Sequence, residues 1–248
     1  MARIELREAY IRVRDGLAGT GNVTSNSASA STTLNVDTIV LNATTTNLVP
    51  VGARLTVNSC GTNIFTVTER TPPAAGPTLN LVVTPALTAN VTQNDVITFS
   101  AQRLTVKVGE GSVSWTEAKE YEYLRDRGDL DTVREADEQP IDVSIDFVYE
   151  YITTETGEDV TIVDALKQTG EASEWVTSSS DVCEPYAVDI EIMHCMPCGT
   201  VEDEKVVLAD FRYESLEFDI NEATISTSGR CNVSEATVTR ADYADEGC

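Results

Sequence analysis

Apolar and polar residues alternate strictly through the middle of the chain. Ile141, Val143, Ile145, Phe147 and Tyr149 stand between Asp142, Ser144 and Asp146, with Glu150 following after an interruption at Val148. A period of two predicts a strand with one face buried and the other in water. Residues 10–14 share the period, with Ile11 and Val13 set against Arg12 and Arg14, as do residues 104–108, with Leu104, Val106 and Val108 set against Thr105 and Lys107. These two stretches are expected to be neighbouring strands of one sheet. Further strands are predicted over 186–193, 205–208, 211–220 and 224–228. In 211–220 the apolar register slips between Tyr213 and Leu216, which predicts a bulge. A single helix is predicted over TIVDALKQTG, residues 161–170. Thr161 caps it with Asp164 three residues on, Ile162, Ala165 and Leu166 share a face, and Gly170 ends it. Trp175 is expected to dock nearby.

Residues 17–101 read differently. They open on a stretch of Gly, Ser, Thr and Asn. Strand patterns follow at 38–41, 54–58, 64–69, 78–83 and 95–100, separated by Gly- and Pro-marked turns. Five short strands so punctuated predict a small β-barrel or sandwich. It is expected as a module inserted between the strands at 10–14 and 104–108, because insertions at loop tips are well tolerated. The expected fold is all-β, with a discontinuous core domain (1–16 plus 102–248) and an inserted module (17–101). No apolar run approaches the roughly 20 residues that span a bilayer. The charged N-terminus lacks the apolar segment of a secretory signal, so synthesis in the cytoplasm is expected.

The net charge of −24 is concentrated in one region: residues 101–248 hold 11 of the 17 basic and 35 of the 41 acidic side chains. So acidic a surface repels phosphate backbones and argues against sequence-specific DNA binding. It fits simple solubility, or a surface that DNA passes without adhering.

Catalytic patterns are weak. His194 is the only histidine and no G-x-S-x-G accompanies it. Gly109-Glu110-Gly111 is too short to cradle a phosphate. Six cysteines include a C-x-x-C at Cys195 and Cys198. Three states stay open for them: unligated thiols, a disulfide, or a zinc site drawing on Cys183, Cys195, Cys198 and Cys231. A second C-x-x-C is missing, which weakens the zinc reading. Arg127-Gly128-Asp129 and the sequons at Asn22, Asn42, Asn90 and Asn232 are read as chance matches. No cofactor is expected.

The stretch from Trp115 to Pro140 carries more information. Residues 117–138 interleave nine acids with Lys119, Arg125, Arg127 and Arg134, and Tyr121, Tyr123, Leu124 and Leu130 supply apolar anchors. Mixed charge with aromatic anchors suits a partner surface better than a repulsive tail. This arm is read as a long polar loop. Its candidate assembly residues are Trp115, Glu117, Lys119, Tyr121, Tyr123, Arg125, Arg127, Asp129, Leu130, Asp131, Arg134, Glu135 and Asp137.

The run LTVKVGEGSVSWTEAKEYEYLRDRGDLDTVREADEQPIDVSIDFVYEYI resembles the major tail tube proteins of long-tailed bacteriophages. DALKQTG, CEPYAVDIEI, PCG, DFRYESLEFDI and ATISTSGRCN extend the resemblance. It covers residues 1–16 and 103–239 and leaves 17–101 outside. It implies a non-enzymatic virion protein with a β-sandwich or barrel core and one flanking helix. Six subunits would close into a ring, and rings would stack into a tube that conducts double-stranded DNA. Tape-measure and tail-terminator or baseplate proteins would be its other partners, without a membrane. The arm would contact the neighbouring ring. For the acidic lumen, alternation nominates Asp142, Asp146, Glu217 and Asp219. The inserted module would decorate the outside. Two rival readings are a surface- or carbohydrate-binding β module resting on 17–101, and a small metalloprotein resting on the cysteines.

Overall fold

The structure, a computed structural model, describes residues 9–45, 49–71, 78–107, 111–127, 129–148, 152–153, 159–181, 183–195, 202–219, 221–241 and 243. Cys198, Tyr149, Glu150 and the side chains of Asp129 and Asp131 lie outside them. The fold is all-β, as the alternation predicts. In chain order the strands begin with β1 (Ala9–Arg14), β2 (Gly19–Val23), β3 (Thr33–Leu41), β4 (Thr44–Thr45), β5 (Arg54–Val57), β6 (Ile64–Thr71), β7 (Leu79–Thr84) and β8 (Val96–Ser100). Next come β9 (Arg103–Lys107), β10 (Gly111–Thr116), β11 (Tyr121–Asp126), β12 (Asp129–Glu135) and β13 (Ile141–Val148). The short β14 (Ile152–Thr153) and β15 (Asp159–Val160) precede helix α1 (Ile162–Lys167), and β16 (Val188–His194), β17 (Asp203–Asp219), β18 (Thr224–Cys231) and β19 (Thr237–Ala241) complete the chain.

The chain divides into two compact units. The first comprises Met1–Val13, Thr105–Glu150 and Ala187–Cys248, and the second Arg14–Leu104 and Tyr151–Tyr186. The first is built on an eight-stranded sheet in the order β10-β13-β18-β17-β16-β1-β9, with β19 also paired to β17. The strands at 10–14 and 104–108 are neighbours, as their matching patterns predict. The stretches expected as separate strands at 205–208 and 211–220 form one long strand, β17. It passes Asp210 in a left-handed conformation (φ 56°) and bulges between Tyr213 and Ser215.

In the second unit β2-β8-β5-β6-β7-β3 closes on itself through β2–β3 pairing, giving a six-stranded barrel with β4 attached to β3. The sixth barrel strand, β2, comes from the stretch read as low-complexity; Val23 is buried and holds it in the core. Phe99, Leu55 and Phe65 lie in register across β8, β5 and β6 inside the barrel. Thr20, Thr98 and Thr56 form the next row. So small a barrel is filled by its own side chains.

Residues Tyr151–Tyr186 join this second unit, and the helix lies among them. Thr161 and Asp164 form the expected capping box, each side chain reaching the other's backbone N–H. The helix ends earlier than Gly170, because Gln168 adopts the left-handed cap (φ 55°) and its side chain donates to the Trp175 carbonyl at 2.6 Å. Trp175 is buried beside it. Glu174 then accepts from the Val51 N–H and from Arg70, both at 2.9 Å, and so fastens this segment to the barrel.

Asp15 joins three segments of the second unit. Its buried carboxylate accepts from the backbone N–H groups of Gln102 (2.7 Å), Val176 (3.2 Å) and Leu17 (3.3 Å). Gly16 beside it must be glycine, since a Cβ would stand 2.2 Å from the Thr177 carbonyl oxygen. Burial outweighs the three donors and the neighbouring Arg14, and pushes the Asp15 carboxyl up from 3.8 to about 7. A raised folded value means that the native state holds a proton which the unfolded chain has released. The stability this gives is complete below about pH 4 and is lost as pH rises through about 7. Asp15→Asn removes that titration and places an amide donor against the Val176 N–H. Urea unfolding of the variant should show a loss of about 1–3 kcal/mol at pH 4.5. Between pH 4.5 and 7.5 it should lack the decline, up to about 1.4 kcal/mol per pH unit, that Asp15 gives the native chain.

Candidate functional site

Four strands of the first unit, β10, β13, β18 and β17, pair in register and sort their side chains onto two faces. One face carries Val143, Ile145 and Phe147 of β13 against Gly229, Thr227 and Ile225 of β18, and is largely buried. Its other two strands contribute Trp115, Val113 and Gly111 from β10 and Tyr213, Leu216 and Phe218 from β17. The opposite face is polar and repeats in rows across the strands. One row is Thr116, Asp142, Arg230 and Arg212; the next is Ser114, Ser144, Ser228 and Ser215. A third is Ser112, Asp146, Ser226 and Glu217, and a fourth is Val148, Thr224 and Asp219.

All four acids nominated by alternation, Asp142, Asp146, Glu217 and Asp219, therefore share one exposed face. The bulge puts them there. Were Glu214 to take a regular place in the ladder instead of bulging out, the period of β17 would turn Glu217 and Asp219 to the side of Phe211 and Tyr213. Gly229 makes room for it: a Cβ at that position would lie 2.1 Å from the Arg212 carbonyl oxygen.

Hydroxyls and carboxylates on this face bond to each other. Asp146 accepts from Ser226 (2.6 Å) and Ser112 (3.2 Å), and Ser215 and Ser228 share a bond of 2.7 Å. The Arg230 guanidinium is held by Asp142 at 2.9 Å and Glu214 at 3.8 Å.

Both edges of this four-stranded block are open. Among the described residues β10 pairs only with β13, and β17 beyond Phe211 pairs only with β18. Most edge strands carry charges that discourage pairing with another chain. The sequence of β10, GSVSWT, has none.

The arm read as a loop is a two-stranded antiparallel ribbon, β11 and β12, that among the described residues pairs with no other strand. A bulge at Leu124/Arg125 sets Tyr121, Tyr123, Arg125, Leu130, Val133 and Glu135 on one face, and Glu122, Leu124, Thr132 and Arg134 on the other. The first face is exposed although largely apolar: Tyr123 is 59% and Leu130 67% accessible. At the root of the ribbon, Lys119 pairs with Glu235, while Glu117 accepts from the Ala236 N–H (3.3 Å) and the Trp115 indole (3.2 Å). Pairing with Glu235 raises Lys119 above the usual lysine value and lowers Glu235 below the usual carboxylate value. A hollow of about 290 Å³ beside this root is lined by Glu120, Glu135, Asp137 and Glu138. Ribbon strands escaped the sequence reading because their charges hide the period of two, although Tyr121, Tyr123 and Val133 carry it.

Of the cysteines considered for a zinc site, Cys198 lies outside the described residues. Cys195 is disulfide-bonded, and Cys60, Cys183 and Cys231 are free thiols. Cys183 is exposed, whereas burial pushes the Cys231 thiol up to about 12. No group of three or more metal-ligating side chains occurs among the described residues. His194 is buried at the end of β16 with its Nδ1 lacking a partner. In the barrel, Phe65 and Phe99 are both buried.

No protein-family model matches the chain, and no curated protein matches it either.

Gly229→Ala is expected to destabilise the first unit by about 1–3 kcal/mol, the range for overpacking, because backbone and not a movable side chain meets the new methyl group. Urea denaturation followed by far-ultraviolet circular dichroism measures it; an unchanged midpoint would show that the bulge does not need the glycine.

Proposed function

We propose that this chain is a structural subunit of a phage tail tube, assembling into stacked rings, six subunits to a ring, around a channel for double-stranded DNA. The observation that carries the reading is the acidic, hydroxyl-lined face of the β10-β13-β18-β17 block, bounded by two unpaired edges. An edge strand without charged side chains suits pairing with the next subunit, and β17 beyond Phe211 offers the complementary open edge. Joined edge to edge, such blocks make a continuous wall. One side of that wall repeats serine and threonine with Asp142, Asp146, Glu217 and Asp219.

Carboxylates repel a phosphate backbone, and short hydroxyls give bases nothing to stack on. Arg230, an exposed cation of that face, is held between Asp142 and Glu214, and Arg212 beside it is half-buried. DNA would slide along such a lining without stopping. The ribbon suits contact with an adjacent ring, because its exposed tyrosines, leucine and valine are the residues that interface cores use. Contacts of this head-to-tail kind propagate into filaments.

In this role the chain performs no chemistry. It works in the virion, with a tape-measure protein inside the growing tube and terminator or baseplate proteins at its ends. The barrel of the second unit would decorate the outside. Among the described residues no helix is long and apolar enough to cross a membrane. The rival reading, carbohydrate binding by the barrel, finds no support in its aromatic side chains, since both phenylalanines are interior.

Negative-stain electron microscopy across a concentration series tests the proposal. Hollow tubes or stacked rings of uniform diameter are expected for the native chain. Tyr123→Ser with Leu130→Ser should leave rings but shorten or abolish stacks. Monodisperse monomers at every concentration would overturn the assembly reading.

A further inference from the structure

The exposed face of the ribbon is complementary to itself. It consists of three rows: Arg125 with Leu130 near the tip, Tyr123 with Val133 in the middle, and Tyr121 with Glu135 at the root. An unpaired arginine thus stands at one end of an apolar face and a carboxylate at the other. Among the described residues neither Arg125 nor Glu135 has a salt bridge, although Arg70, Lys119, Lys205, Arg230 and Arg240 each have one. Although acids outnumber bases by 41 to 17 in this chain, the ribbon's arginines, Arg127 and Arg134 as well as Arg125, stand without a salt bridge among the described residues, and of the three only Arg125 lies on the apolar face.

We infer that, before assembly, two copies of this chain pair through these ribbon faces as an antiparallel, two-fold dimer. Turning a second ribbon over so that its root lies on the first ribbon's tip superimposes the two middle rows. Tyr123 and Val133 then pack on their counterparts. Arg125 comes over Tyr121 of the second copy and within a side chain's reach of its Glu135, and the two-fold axis repeats the contact. Cation–aromatic and charge-assisted contacts form at both ends of an apolar centre.

The inference rests on the assembly reading for its purpose. A face meant for the next ring would otherwise stand bare on every unassembled subunit, and exposed apolar patches aggregate. Three rows make an interface well below the roughly 1,200 Å² of a stable complex. The pair is therefore weak enough to open when a growing tube offers a larger surface.

Charge reversal tests the two-fold relation. Sedimentation equilibrium on the full chain, using the fraction left after any tubes are pelleted, should show a monomer–dimer equilibrium. Arg125→Glu sets two acids together at each joined end, and Glu135→Arg sets two bases together at each. Each should weaken the dimer by at least about ten-fold. The double reversal, R125E with E135R, should return within about three-fold of the native value, because a two-fold axis exchanges both partners at once. Circular dichroism of the single variants confirms that they fold. Several results would overturn the inference: a native chain monomeric throughout, single variants that dimerise normally, or a double reversal that stays monomeric. A dimer obeying this pattern, in a chain that never forms rings or tubes, would keep the ribbon pairing and sink the tail tube reading instead.

Discussion

One extra residue in β17 decides what the first unit offers to its surroundings. At the bulge between Tyr213 and Ser215 the strand gains Glu214, and from there its period of two is inverted. Leu216 and Phe218 then lie on the side of Phe147 and Ile225, while Glu217 and Asp219 join Asp142 and Asp146 on the other. The inversion depends on Gly229 across the ladder, where the backbone of Arg212 approaches too closely for any side chain. The acidic face, the serine row and the confinement of Arg230 between two carboxylates all follow from it.

The same block explains why its edges matter. A sheet whose edges are covered is complete; one that ends in an uncharged strand on one side and an unpaired half-strand on the other is open to continuation. The exposed large apolar side chains point the same way: of ten among the described residues, only Val96 belongs to the barrel, and the other nine lie in the first unit. The barrel, by contrast, closes its hydrogen bonds on itself and buries both its phenylalanines. A closed barrel needs no partner to complete it, and this is the behaviour expected of a module carried by an assembly without holding it together.

Much of this was legible in the residues. Strict alternation in β13 marks its buried and exposed faces directly, and the register slip near Tyr213 marks the bulge to within a residue. The capping box at Thr161 and Asp164 marks the start of the helix. Other features were not legible, for identifiable reasons. Charge density concealed β11 and β12, since a ribbon exposed on both faces need not alternate cleanly. A run of Gly, Ser, Thr and Asn concealed β2, which is held in the barrel by its neighbours on both sides more than by its own propensity. β17 reads as two strands because Asp210 interrupts the apolar pattern, yet the ladder continues through its left-handed conformation. The helix stops at Gln168 because that side chain secures the Trp175 carbonyl, a contact no local pattern encodes.

The arginines show how charge and geometry divide the work. With so large an acidic excess, electrostatics alone would pair every cation with the nearest carboxylate. Arg230 is so paired, and on the proposed channel face that pairing competes with a phosphate for its guanidinium. Arg125 is not, although the root of its own ribbon is rich in acids. The rigid ladder keeps it two rows from Glu135, a distance that the chain cannot close upon itself but that a second copy, turned over, closes twice. A stiff ribbon with opposite charges at its two ends cannot bring those two charges together within one molecule. On the proposed pairing, the ladder itself, and not the total charge, would make the ribbon a surface for other copies of the chain.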